Sequence, residues 1–81
     1  MTQSKTERAR YVFTVKEFGD GTPWIMLEGS GKGLEVLGDG FIGLDLKEGT
    51  TLKEAEALAA TLRQSIATVA YTSFVKRLGL R

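Results

Sequence analysis

Apolar and polar positions alternate from Tyr11 to Phe18 (YVFTVKEF), with Tyr11, Phe13 and Val15 on one side and Val12 and Phe18 on the other. Period-two spacing of β-branched and aromatic residues predicts a strand. Gly19-Asp20-Gly21-Thr22 follows and carries the Asp-Gly signal of a hairpin turn. Pro23 then opens a second run, Trp24–Glu28, in which Trp24 and Met26 oppose Ile25 and Leu27, so both sides are apolar. Proline is tolerated at the first residue of a strand, where no ladder donor is yet required. Five of the ten glycines fall in residues 29–40, which predicts a loop. Its apolar insert, Leu34–Leu37, reads as a helical turn or a brief strand. Phe41–Lys47 reads as a third strand, with Ile42, Leu44 and Leu46 facing one way and Asp45 and Lys47 the other.

The period then lengthens. Leu52, Ala55, Leu58, Ala59, Leu62 and Ile66 recur at helical spacing. Thr51 and Glu54, three residues apart, form the capping-box pattern that starts a helix. Among these positions Leu58 and Leu62 are expected to be the main anchors in the core. The helix is expected to end near Ile66–Ala67. The following ATVAYTSFV is rich in β-branched and aromatic residues, which favours an extended segment, although Val69, Ser73 and Lys76 also suit a continued helix. Residues 1–9 show no apolar period and are expected to form a disordered basic arm. The fold class that follows is α+β: an antiparallel sheet of three strands, or four, with one amphipathic helix on one face.

Length limits the chain to one small domain over residues 1–81. A domain of this size buries only about 60–65% of its unfolded surface. The net charge of +1 conceals an uneven spread. Residues 1–10 carry Lys5, Arg8 and Arg10 against Glu7, and residues 71–81 carry Lys76, Arg77 and Arg81 with no acid, whereas acids predominate between them. Basic ends suggest contact with nucleic acid or an acidic partner, and the bland alternative is that they are solvated. No apolar run reaches the roughly 18 residues of a membrane span, and no leader-like apolar region follows MTQSKTERAR. A cytoplasmic bacterial protein with no membrane contact is the expectation.

Candidate chemistry is sparse. The chain has no histidine and no cysteine, so the commonest general base, the commonest transition-metal ligand and any thiolate site are absent. Gly38-Asp39-Gly40-Phe41-Ile42-Gly43 spells G-x-G-x-x-G, but it opens a strand, whereas a dinucleotide fingerprint must open a helix. Gly31-Lys32-Gly33 lacks the serine or threonine of a phosphate loop, leaving only a backbone nest beside Lys32 as an anion site. Gly40–Leu44 lacks the basic and small residues of an RNA-binding strand signature. Glu17, Asp20, Glu28, Asp39, Asp45 and Glu48 are read as solvated surface carboxylates. No catalytic residue, cofactor or metal is expected.

The stretch KGLEVLGDGFIGLDLKEGTTLKEAEALAATL, residues 32–62, resembles a group of short bacterial proteins of unknown function, which implies a small sheet followed by one helix and no assigned activity. Thr51-Leu52-Lys53-Glu54-Ala55, after a small sheet, is similar to the helix start of HicB-type antitoxins. That similarity implies a domain that binds a protein partner and oligomerises. The proline- and cysteine-containing turn of those domains has no counterpart here.

Two functional expectations follow. The first is a non-enzymatic interaction module, a homodimer or the binder of a protein partner, because one helix cannot cover both faces of such an apolar sheet. Its interface is expected among Tyr11, Phe13, Trp24, Met26, Tyr71 and Phe74. Either a second copy covers the free face, or the C-terminal segment with Tyr71, Phe74, Val75, Leu78 and Leu80 folds back over it. The alternative is a small nucleic-acid- or anion-binding domain that uses Lys5, Arg8, Arg10, Lys32, Lys76 and Arg77.

Overall fold

A computed structural model describes residues 2–76. The order is β1 (Thr2–Ala9), β2 (Tyr11–Glu17), β3 (Pro23–Gly29), a 3₁₀ turn (Glu35–Leu37), β4 (Ile42–Asp45), α1 (Leu52–Ser65) and β5 (Val69–Lys76). The α+β expectation holds. Strands β2, β3 and β4 form an antiparallel three-stranded sheet in that order, and α1 crosses one face of it.

Strands β2 and β3 are joined by the predicted turn. The Phe18 amide donates to the Thr22 carbonyl and the Gly21 amide to the Phe18 carbonyl, both at 2.9 Å. Gly21 takes φ 87°, a conformation that side-chain-bearing residues rarely adopt. The Asp20 carboxylate accepts from the Thr22 amide at 3.0 Å, which holds its pKa below the usual carboxylate range.

Helix α1 starts at its predicted cap. Thr51 Oγ1 accepts from the Glu54 amide at 3.1 Å, and Glu54 Oε1 accepts from the Thr51 amide at 2.9 Å. The return bond lowers the Glu54 pKa.

The core lies between α1 and the sheet. Register sets Phe13 opposite Leu27 and Val15 opposite Ile25, with Ile42 and Leu44 beyond. Phe13, Ile25, Leu27 and Ala59 are its buried centre, and Tyr11, Val15, Ile42, Leu44, Leu46, Leu62 and Val69 pack around them. The helix rests on Ala55 and Ala59, both 0% exposed, rather than on Leu58, which is 41% exposed. The sheet already presents bulky side chains, so close approach requires small residues on the helix. Of the two expected anchors, only Leu62 packs against the core. Arg63 Nη1 donates to the Phe13 carbonyl at 2.6 Å, fastening the last turn of α1 to β2.

Residues 2–9, expected to be a disordered arm, form β1 instead. It pairs antiparallel with β5 over its full length, from Thr2 opposite Lys76 to Ala9 opposite Val69. The C-terminal run is therefore extended, as favoured from its composition, and its partner is the N-terminal run. β1 and β2 are nearly continuous and change partner at Arg10. There the last β2–β3 bond runs from the Ser30 amide to the Arg10 carbonyl at 3.0 Å. Beyond it the β1–β5 ribbon continues past the sheet, giving extents of 52 × 25 × 21 Å and a radius of gyration of 16.3 Å. A compact chain of this length would have a radius of about 12 Å. Among the described residues no helix is long and apolar enough to cross a membrane.

Candidate interaction surfaces

The structure separates the expected interface residues into three places. Tyr11 and Phe13 belong to the helix-covered face. Phe13 is 4% exposed, and the Tyr11 hydroxyl accepts from the buried Leu34 amide at 2.8 Å. These two secure the core and the glycine-rich loop: Phe13 presents no free surface, and Tyr11 is half-buried. Trp24 and Met26 lie on the opposite face. Tyr71 and Phe74 lie on the ribbon, paired with Glu7 and Ser4. They do not fold back over Trp24, whereas Leu78 and Leu80, in the same proposed cover, lie outside the described residues.

The helix-free face of the sheet holds an aromatic cluster. Trp24 stacks on Phe18 with ring centroids 5.5 Å apart and planes inclined by 19°, and its other aromatic neighbour, Phe41, is at 5.8 Å. Such pairs contribute about 0.5–1.5 kcal/mol beyond their burial, so the three rings form a preorganised platform. Gly43 makes room for it: a Cβ built there would stand 3.1 Å from the indole ring. The platform is open to water. Phe18 is 51% exposed and Phe41 59%.

Charges bracket this platform. Register sets Lys16 opposite Trp24 and Trp24 opposite Asp45. One row across the strands therefore reads cation, indole, carboxylate. Two strand spacings separate its ends, about 10 Å, and both ends are exposed. Phe18 and Phe41 were not among the expected interface residues. Phe18 shared a face with Val12 by alternation, which was a usable signal. Phe41 precedes β4, and nothing local tied it to Trp24.

The expected anion contacts also separate. Lys5 and Arg8 are on β1, and Arg10 is at the junction with β2. Lys76 stands opposite Thr2 in the register, and Arg77 lies outside the described residues. Lys32 is in the glycine-rich loop, where its ammonium is 4.0 Å from the Glu35 carboxylate. The ribbon is tied to this loop by Glu7, whose carboxylate accepts from the Glu35 amide at 2.6 Å and the Val36 amide at 3.3 Å.

Among the described residues no three carboxylates gather where they could hold a metal ion, and no polar or charged residue is buried. No family model matches the chain, and no curated protein or solved structure matches it.

Proposed function

We propose that this domain is a non-enzymatic self-association module, in which two copies pack sheet to sheet through the helix-free face. The observation that carries the reading is the exposed Phe18–Trp24–Phe41 platform. A contiguous apolar patch on a small domain marks an interaction site more often than idle surface.

The charges at the rim favour a second copy as the occupant. A two-fold axis parallel to β3, lying between two sheets packed face to face, exchanges the left and right sides of the row. Trp24 then meets Trp24, and Lys16 of each copy stands over the partner's Asp45. A two-fold interface must be self-complementary in this way. The apolar centre supplies the driving force, and the two rim pairs set the orientation, since exposed ion pairs are worth only about 0.2–1 kcal/mol each.

The test is molar mass by light scattering after size exclusion, at about 100 μM, where micromolar dimers are populated. A dimer is expected. Trp24→Ala should weaken it by about 30-fold or more, the effect of losing a central aromatic anchor worth at least about 2 kcal/mol. Asp45→Lys should weaken it by bringing lysines together, and Lys16→Asp combined with Asp45→Lys should restore it. A strict monomer would refute the reading. A dimer indifferent to all three variants would place the interface elsewhere.

A further inference from the structure

The ribbon turns its two faces to different surroundings. Lys5, Glu7, Ala9, Val69, Tyr71 and Ser73 share one face by strand alternation. That face turns toward the body: Lys5, Glu7, Tyr71 and Ser73, with Glu35 and Val36, line an open cleft of about 330 Å³. Ala9 is buried there, and the Glu7 carboxylate is engaged by two amides of the 3₁₀ turn. Ser4, Thr6, Arg8, Ala70, Thr72 and Phe74 make the other face, and every one of them is exposed. This outer face holds hydroxyls, a guanidinium and an aromatic ring, and no acid. Thr6 and Thr72 hydroxyls meet across it at 2.9 Å.

Folding also gathers charge that the sequence keeps apart. The two basic chain ends meet in one ribbon, where Lys5, Arg8 and Lys76, with Arg10 at its root, outweigh Glu7 by three charges. Residues 11–68 hold five basic and nine acidic residues, a net of −4. The mean pI near 8 averages a cationic arm with an anionic body.

We propose that the β1–β5 ribbon is a groove-binding arm for duplex DNA, laid with its outer face toward the bases of the major groove. The groove of B-form DNA is about 12 Å wide and admits a two-stranded antiparallel ribbon. Eight residues per strand span about 26 Å, less than one helical turn of about 34 Å. Ser4, Thr6 and Thr72 offer hydroxyls to base edges, and Phe74 offers an apolar contact to a thymine methyl. Arg8, on the outer face, and Arg10, at the root of the ribbon, follow the phosphates. The anionic body stands off the backbone, so the arm alone enters. A-form RNA has a major groove too deep and narrow for side chains to read, which makes duplex DNA the preferred occupant. This inference rests on the ribbon and is independent of the sheet-to-sheet dimer.

Fluorescence anisotropy of a labelled mixed-sequence DNA duplex of roughly 20 base pairs, titrated with the full chain at about 50 mM salt, tests it. Binding is expected, weakening with salt along a log–log slope of about −1.8 if two cations meet phosphates. Arg8→Ala should reduce the magnitude of that slope by about 1, and Arg8→Glu should weaken binding by about tenfold or more. Lys53→Glu, the same charge change on the exposed side of α1, should leave affinity within about twofold, and circular dichroism of each variant should match the parent. Duplex RNA of the same sequence should bind more weakly. Absence of binding at about 100 μM protein would overturn the proposal. So would equal losses from Arg8→Glu and Lys53→Glu, or equal affinity for the RNA duplex, since either outcome denotes unselective attraction to a polyanion.

Discussion

Ala59 is the helix residue in the buried centre of the helix–sheet contact, and both enlarging and shrinking it should weaken the fold. Its side chain is 0% exposed and sits with Phe13, Ile25 and Leu27 in the buried centre. Ala59→Leu adds three carbons where there is no free volume, so α1 must lift away from β2 and β3, at a cost of about 1–3 kcal/mol. Ala59→Gly removes one buried methyl, about 0.8 kcal/mol, and adds the glycine penalty of a helix interior, about 1 kcal/mol. The two losses sum to about 2 kcal/mol. A domain of 81 residues has a total stability of about 4–12 kcal/mol, so both variants should fold with reduced margin. In urea, with a slope of about 1 kcal/mol per molar, the midpoint should fall by about 1–3 M for leucine and about 2 M for glycine. An Ala59→Leu midpoint within about 0.5 M of the parent would refute the packing described here. The helix would then rest on its leucines, with residue 59 beside the contact.

Leu62→Ala should cost more than Leu58→Ala in the same titration, because Leu62 packs on the core and Leu58 is 41% exposed; the reverse order would put the helix on its other shoulder. Thr51→Ala should lower stability by about 0.5–2 kcal/mol, and an unchanged midpoint would mean that the helix does not begin there. Glu54 has a lowered pKa in the folded state, so its contribution is complete above the ordinary glutamate range and disappears as pH falls through and below that range. The stability difference between the parent and Glu54→Gln should therefore be greatest near neutrality and should vanish in acid; a difference that grows in acid would reverse the assignment. Tyr11→Phe should cost about 1–3 kcal/mol by leaving the buried Leu34 amide unpaired, with faster hydrogen exchange at that amide as the local readout.

Legibility in the sequence followed how local each signal was. The β2–β3 hairpin is fixed by Asp20-Gly21 and by the alternation on either side of it, and the start of α1 by the four residues Thr51–Glu54. Both are contained in short windows, and both were read correctly. The buried face of α1 was harder, because its stripe mixes leucines with alanines. Hydrophobicity alone ranks Leu58 above Ala59. The rank inverts because Phe13, Ile25 and Leu27 already fill the space on the sheet side, and that information lies more than 30 positions upstream.

The ribbon is the limiting case. β1 reads TQSKTERA, polar on both faces, and carries no period for a hydrophobic pattern to reveal. Its strand character comes from pairing with β5, whose paired residues lie 60 or more positions away. The same separation concealed the candidate surfaces. The basic ends looked like two frayed termini, and the aromatic residues looked like one list. Pairing joins the termini into a single cationic arm, and register divides the aromatics among the core, the platform and the ribbon. An isolated two-stranded ribbon is only marginally stable in water, and this one has a fully exposed outer face and little apolar packing beyond its root at Ala9 and Val69. Its amides should therefore exchange faster than those of β3 when the chain is alone. Duplex DNA on the outer face should slow them selectively, whereas sheet-to-sheet pairing should slow exchange around Trp24 and leave the ribbon unchanged.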